Sequence, residues 1–332
     1  IMNTTHADCD PLLSEALSRA QEGTSQNVKL KVDTLLLSGG AMKCISILGS
    51  LQYLFEKEII KPDFEGIKEI YFVSGSSVYL TPLLIGMPME ATIDLFKKID
   101  YHGIVKKSND MKIQNLFNNF GLMKITDFKF IMNAIFKGKG IDENITLKDF
   151  YELTKIKINF RVVNITKVIT EYLNKDNSPD LKYIDAVCMT SCIPLLFEPI
   201  EYNGCKYVDG GVNNNFPYEM MNGNNYLGIN ILSCEISLDK DDNLSTHKEA
   251  IDRPEVSDIS EYLYLIYNIY GTHPIEKSSI QHIKILIEGP GFNFKKYSSN
   301  MKDTILVGYK TTEAHFANFQ TQTDPILSKN ED

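Results

Sequence analysis

Between residues 32 and 232 the chain alternates short apolar runs with stretches whose apolar residues recur every three or four positions. Residues 34–37 form the first such run and lead into Ser38-Gly39-Gly40-Ala41. Leu48, Leu51, Tyr53, Leu54 and Phe55 then recur at helical spacing and predict a helix over 45–57. A second apolar run, 70–73, ends at another glycine turn. The pattern beyond Ser77 is helical, is interrupted around Gly86-Met87-Pro88, and resumes to residue 99. Residues 104–140 interleave Lys and Asn with Leu, Phe, Ile and Met, which predicts two short amphipathic helices, one on either side of Gly121. Thr146, with Asp149 three positions on, is a capping-type start for a helix reaching about residue 154. Strands are expected at 159–165, 205–208, 228–232 and 282–287, and helices at 181–191 and 304–320.

Strands that alternate with helices imply a three-layer α/β/α sandwich around a mainly parallel central sheet. Ahead of it, residues 1–31 read as a polar extension with one short amphipathic helix, in which Leu12, Leu13, Ala16, Leu17 and Ala20 share a face. The main domain is expected over 32–322, with 104–140 as a candidate cap, and 323–332 as a tail. The stretch 239–258 is charged and reads as a surface loop.

Composition narrows the function classes. With 34 basic and 43 acidic residues among 332, the net charge of −9 argues against a nucleic-acid binder, which needs a basic stripe. Lysine pairs such as Lys97-Lys98 and Lys106-Lys107 leave room for transient contact with a membrane surface. None of the six cysteines forms a C-x-x-C pair or stands at ligand spacing from a histidine, so thiols in a reducing compartment are expected and no metal site is. The first twenty residues lack a basic segment followed by an apolar one, and no apolar run is long enough to span a bilayer. The expectation is an intracellular, cytoplasmic protein without signal peptide or membrane span, peripheral on membranes at most.

Three places could hold chemistry. The Ser38 to Cys44 turn sits between a strand and a helix, where small residues let backbone N–H groups face a shared space that suits an anion or an oxyanion. It is neither a Walker loop nor a dinucleotide fingerprint. Gly75-Ser76-Ser77-Val78-Tyr79 has the first half of a nucleophile elbow, but Tyr79 stands where a second glycine belongs, and Pro82 follows in the helix. In Tyr207-Val208-Asp209-Gly210-Gly211 an aspartate ends a strand where backbone crowding is low.

In this order the three segments resemble the patatin-like phospholipase family. The likeness extends to Met189-Thr-Ser-Cys-Ile-Pro-Leu-Leu-Phe-Glu-Pro199 and to residues 146–166, and covers roughly 32–232. The resemblance implies a Ser–Asp dyad without histidine or cofactor: Ser77 as nucleophile, Asp209 as base, and Gly39, Gly40, Ala41 and Lys43 in the oxyanion turn. Gly75, Val78, Gly210 and Gly211 would be supporting residues. It further implies hydrolysis of fatty-acyl esters of phospholipids or related glycerolipids through an acyl-enzyme. Tyr79 and Pro82 motivate a second reading, an inactive relative that binds lipid or protein. A third is a Ser-His-Asp hydrolase using His282 or His315.

Overall fold

The computed structural model describes residues 30–101, 121–167, 169–212, 214–222, 225–233, 279, 281–291 and 293–323. The expected N-terminal helix, residues 104–120 of the cap, the 239–258 loop and the tail from 324 lie outside the described residues.

Among the described residues, the centre is an eight-stranded sheet in the order β10-β9-β1-β2-β4-β8-β7, with β5 also paired to β4. The strands are β1 (Thr34–Leu37), β2 (Glu69–Val73), β4 (Lys157–Asn164), β5 (Ile169–Leu173), β7 (Ile200–Tyr202), β8 (Cys205–Asp209), β9 (Tyr226–Ser233) and β10 (His282–Ile287). β10, β9, β1, β2 and β4 run parallel, while β5 and β8 run antiparallel to β4 and β7 antiparallel to β8. Unbroken apolar stretches such as Leu35 to Leu37 suit these parallel strands because helices cover both of their faces. The three-layer expectation therefore holds. The antiparallel flank, with β5 and β7, was not legible: its polar residues lie at the half-exposed sheet edge, where no apolar run is required.

Among the described residues, seven helices pack around this sheet: α1 (Ser46–Glu56), α2 (Ser76–Leu84), α3 (Met89–Lys98), α4 (Thr126–Gly138), α5 (Leu147–Thr154), α6 (Tyr183–Thr190) and α7 (Phe294–Ser299). An eighth, α8 (Met301–Thr323), lies along α1. The α1–α8 crossing is close because neither partner carries a side chain at the contact. A Cβ on Gly308 would fall 1.9 Å from the carbonyl oxygen of Ser46, and one on Gly49 would fall 1.8 Å from that of Ile305. Phe150 stacks on Tyr183 at 3.8 Å, and Phe160 meets Tyr183 edge-on at 5.2 Å, which fixes α5 and α6 against β4. Thr146 caps α5 as its sequence suggests, accepting the Asp149 N–H at 3.1 Å.

Of the two helices expected around Gly121, the one after it is α4, and the one before it lies outside the described residues. Gly121 opens β3 (Gly121–Met123), which pairs with β6 (Leu195–Phe197) in a small parallel sheet. A Cβ there would come within 2.2 Å of the Glu198 nitrogen, so glycine at this position serves close strand approach. Among the described residues, no helix is long and apolar enough to cross a membrane.

Candidate active site

The two central strands β1 and β2 end side by side, with Leu37 level with Phe72, and each turns directly into a helical segment. Ligands in open α/β sheets gather at such carboxyl ends. The turn after β2 pivots on Ser74, whose φ of 55° lies in the left-handed region that a side chain rarely adopts. Holding serine there costs on the order of 1–3 kcal/mol, and the surroundings must enforce it. They do so on several sides. The Ser74 N–H donates to Thr190 Oγ1 at 3.0 Å, and the Ser74 carbonyl accepts from the Ser77 N–H at 3.1 Å and from Ser77 Oγ at 2.8 Å. Ser76 Oγ accepts the Val73 N–H at 3.2 Å.

This geometry relocates the elbow relative to its sequence expectation. Ser77 lies three residues past the strained position, on the first turn of α2, fully buried, with its hydroxyl committed to the Ser74 carbonyl. The structure does not bring Ser77 to Asp209; it brings Ser74. Ser74 Oγ donates to Asp209 Oδ2 at 2.6 Å, and Asp209 Oδ1 accepts the Gly211 N–H at 2.7 Å. Asp209 closes β8, opposite Val162 of β4. Gly75 directly follows the strained Ser74 and precedes Ser77 by two positions. It is helical (φ −57°), and a Cβ on it would be 2.7 Å from the Ala41 carbonyl. Glycine is required there because the turn after β1 passes directly against it. Val78 is a buried residue of α2.

The glycine turn after β1 packs against Ser74. A Cβ on Gly39 would lie 3.1 Å from the Ser74 Cβ. Gly40 and Ala41 take positive φ of 150° and 48°, which swings the chain sharply into the short helical turn Ala41–Ile45. Gly39 gives its N–H to the Asn215 carbonyl at 2.8 Å and takes the Asn215 side-chain amide at 3.0 Å on its own oxygen. The Met42 N–H goes to Gly291 and the Lys43 N–H to Gly40. Among the described residues, the Gly40 and Ala41 amides have no such backbone acceptor. Gly39 and Lys43 thus spend their amides on backbone carbonyls. The Lys43 ammonium is buried and donates to the Ile287 carbonyl at 3.0 Å, tying the turn to β10.

Asp209 and its neighbours are buried: Asp209 is 0% exposed and Ser74 4%. Cys44 and Cys192 flank the carboxylate. Burial first, and the Asp209 charge second, push both thiols well above their ordinary range and keep them neutral. Gly210 permits β8 to pass β4, since a Cβ there would be 2.1 Å from the Arg161 carbonyl. Gly211 contributes its N–H to the aspartate.

Tyr79 does not come between Ser74 and Asp209. Its ring packs 4.6 Å from Phe96, and its hydroxyl lies 3.2 Å from Met42 Sδ. Its tyrosine is accommodated because the glycine contact expected at this position is made by Gly75 instead. Pro82 is absorbed near the end of α2, where its carbonyl accepts the Met87 N–H at 2.9 Å and closes the helix. His282 stacks on Phe216 at 4.9 Å within the β9–β10 side of the sheet, and His315 packs on Phe316 and Phe319 of α8. Among the described residues, no group of three or more His, Cys, Asp or Glu side chains is placed to hold a metal ion.

Ser74, Thr190, Arg161 and Asn215 were not identifiable as site residues from sequence alone. Ser74 had one signal: it follows the apolar run of β2 without an intervening residue, at the point where the chain must reverse. The Gly-Ser-Ser triplet beside it carries the more familiar spacing.

Comparison with known proteins follows the same segments. A family model described as patatin-like phospholipase matches residues 35–221. A protein of Invertebrate iridescent virus 6 named "Probable lipid hydrolase 463L" is 31% identical over 189 residues, covering 56% of this chain and 62% of that protein. The uncharacterized protein R571 of Acanthamoeba polyphaga mimivirus is 26% identical over 189 residues, covering 56% and 60%. The matches thus span less than two thirds of either relative. Among solved structures, VipD of Legionella pneumophila aligns with a TM-score of 0.50 at 16% identity, covering 91% of this chain and 73% of that one, a likeness of fold.

Proposed function

The chain belongs to the patatin-like phospholipase family, and on that premise we propose that it hydrolyses fatty-acyl esters of phospholipids or related glycerolipids, with Ser74 as nucleophile and Asp209 as base. The observation that carries this reading is the 2.6 Å bond from Ser74 Oγ to Asp209 Oδ2 at a strained strand-to-helix turn.

A serine hydroxyl is a weak nucleophile until a neighbour removes its proton. In the proposed step Asp209 takes that proton while Oγ attacks the ester carbonyl. The Gly211 N–H holds the second carboxylate oxygen, so the first keeps its aim at the serine. Negative charge develops on the carbonyl oxygen, and the Gly40 and Ala41 amides, which have no backbone acceptor among the described residues, would receive it. A donor of this kind contributes about 3–4 kcal/mol in other acyl-transfer enzymes. Collapse of the tetrahedral species breaks the ester bond, and Asp209 returns its proton to the leaving alkoxide. Asp209 then deprotonates a water that attacks the acyl-Ser74 carbonyl, releasing the fatty acid and restoring the serine. The steps call on side chains and backbone of this chain only. The lysine-bearing cap segment and transient contact with a lipid surface belong to the same proposal.

Purified protein incubated with vesicles of defined phospholipids, with products identified by mass spectrometry, tests it. Free fatty acid and lysolipid should form with the parent and with Ser77→Ala, and be absent with Ser74→Ala. Equal activity in Ser74→Ala and the parent would overturn the assignment, and no hydrolysis of any ester by the parent would favour the non-catalytic, lipid-binding reading.

A further inference from the structure

Resting on the Ser74–Asp209 reading, we propose that Arg161 and Thr190 are a positioning pair that holds the two halves of the dyad in register. Arg161 lies on β4, beside the strand that delivers Asp209, and is buried although it carries a charge. A buried guanidinium persists only where its donors are matched. Its partners lie along one loop. Nη1 donates to the carbonyl of Gly210 and, at 2.8 Å, to that of Asn214, while Nε donates to Glu219 Oε1 at 3.2 Å. Glu219 is fixed in turn by the Tyr172 hydroxyl at 2.7 Å. The guanidinium therefore clamps the segment from Asp209 through the Gly39-bonded Asn215.

The other end of the same residue reaches the serine. The Arg161 carbonyl accepts the Thr190 hydroxyl proton at 2.6 Å, which fixes the Thr190 oxygen as acceptor for the Ser74 N–H at 3.0 Å. The Thr190 carbonyl accepts the Gly210 N–H at 3.3 Å. One residue thus ties the strained serine, through Thr190, and the aspartate loop, through its guanidinium, to a single point on the central sheet. Neither Arg161 nor Thr190 touches the reacting atoms; each acts through the group it holds. Ser74 is in a strained conformation that its surroundings must hold, and the capture of its N–H by Thr190 is one of those restraints; a small displacement between nucleophile and base lowers rate steeply.

The test uses the parent, Thr190→Val, Thr190→Ser and Arg161→Lys, read by phospholipid hydrolysis and by amide hydrogen exchange resolved to peptides. In Thr190→Val, kcat should fall about tenfold or more with KM within about twofold, and Thr190→Ser should recover it, because the lost interaction orients the dyad rather than binds substrate. Exchange should rise in peptides holding Ser74 and residues 209–215, in Thr190→Val and Arg161→Lys alike, and stay at parent levels in α1 and α8. If Thr190→Val does not fold, Arg161→Lys carries both readouts. Unchanged kcat, a change confined to KM, failure of serine to recover the rate, or exchange rising uniformly over the chain would overturn the proposal. A parent without hydrolytic activity sinks the functional reading alone, and the exchange pattern then decides the positioning claim by itself.

Discussion

Ser74 and Asp209, 135 residues apart in the chain, share a 2.6 Å hydrogen bond between Oγ and Oδ2, inside a site with almost no solvent exposure. The serine sits at the end of a parallel strand in a left-handed backbone conformation, and the aspartate ends an antiparallel one. From this relationship and the packing around it, the following outcomes are expected.

Asp209→Asn keeps the size of the side chain and removes its capacity to take a proton. Hydrolysis should fall by about 10²–10⁴-fold, the usual contribution of a positioned base, with the fold intact by circular dichroism. Activity within a few-fold of the parent would show that Asp209 is not the base, and would return attention to His282 and His315.

Tyr79 tests whether the ring at the expected glycine position matters to chemistry or to packing. Tyr79→Ala should destabilise by about 3–5 kcal/mol in urea titration, because it empties the contact with Phe96. Tyr79→Phe keeps that contact, and its hydroxyl loss should cost no more than about 1 kcal/mol, with hydrolysis retained.

The α1–α8 crossing predicts that Gly308→Ala destabilises by about 1–3 kcal/mol, since its Cβ would land 1.9 Å from the Ser46 carbonyl oxygen and force the helices apart. Gly138→Ala, at the end of α4 where a Cβ meets nothing within 4 Å, should be neutral or stabilising by up to about 1 kcal/mol. Denaturant midpoints of the two variants compare them directly.

His282 gives the protein an acid-side dependence. Burial in the sheet lowers its pKa from 6.5 to about 4. The unfolded chain therefore binds the proton more readily, and folding stability is present in full above about pH 6.5. It declines as pH falls toward 4, by roughly 3 kcal/mol over the window. His282→Phe, which keeps an aromatic ring on Phe216, should flatten the slope of stability against pH between these values.

Much of the fold was legible because parallel strands covered on both faces must be apolar throughout: β1, β2, β9 and β10 each stand out as a run, and β10 begins and ends where the pattern says. Edge strands such as β7, and β3 with its single glycine approach, carry no such demand and left no signal. In the site, Asp209 with its two glycines was legible because only small residues allow β8 to pass the Arg161 carbonyl. The serine was not. Spacing pointed to Ser77, whereas the pivot is decided by where β2 stops, which backbone pairing and the capture of the Ser74 N–H by Thr190 settle together. Arg161 and Thr190 were likewise invisible, because their importance lies in which carbonyls they meet after folding.

The assignment of Ser74 is tested most directly by covalent labelling with a fluorophosphonate, digestion, and fragmentation that distinguishes the serines of the Ser74–Ser77 peptide. The adduct is expected on Ser74 Oγ in the parent and in Ser77→Ala, and should vanish in Ser74→Ala. An adduct on Ser77, or labelling undiminished by Ser74→Ala, would contradict it.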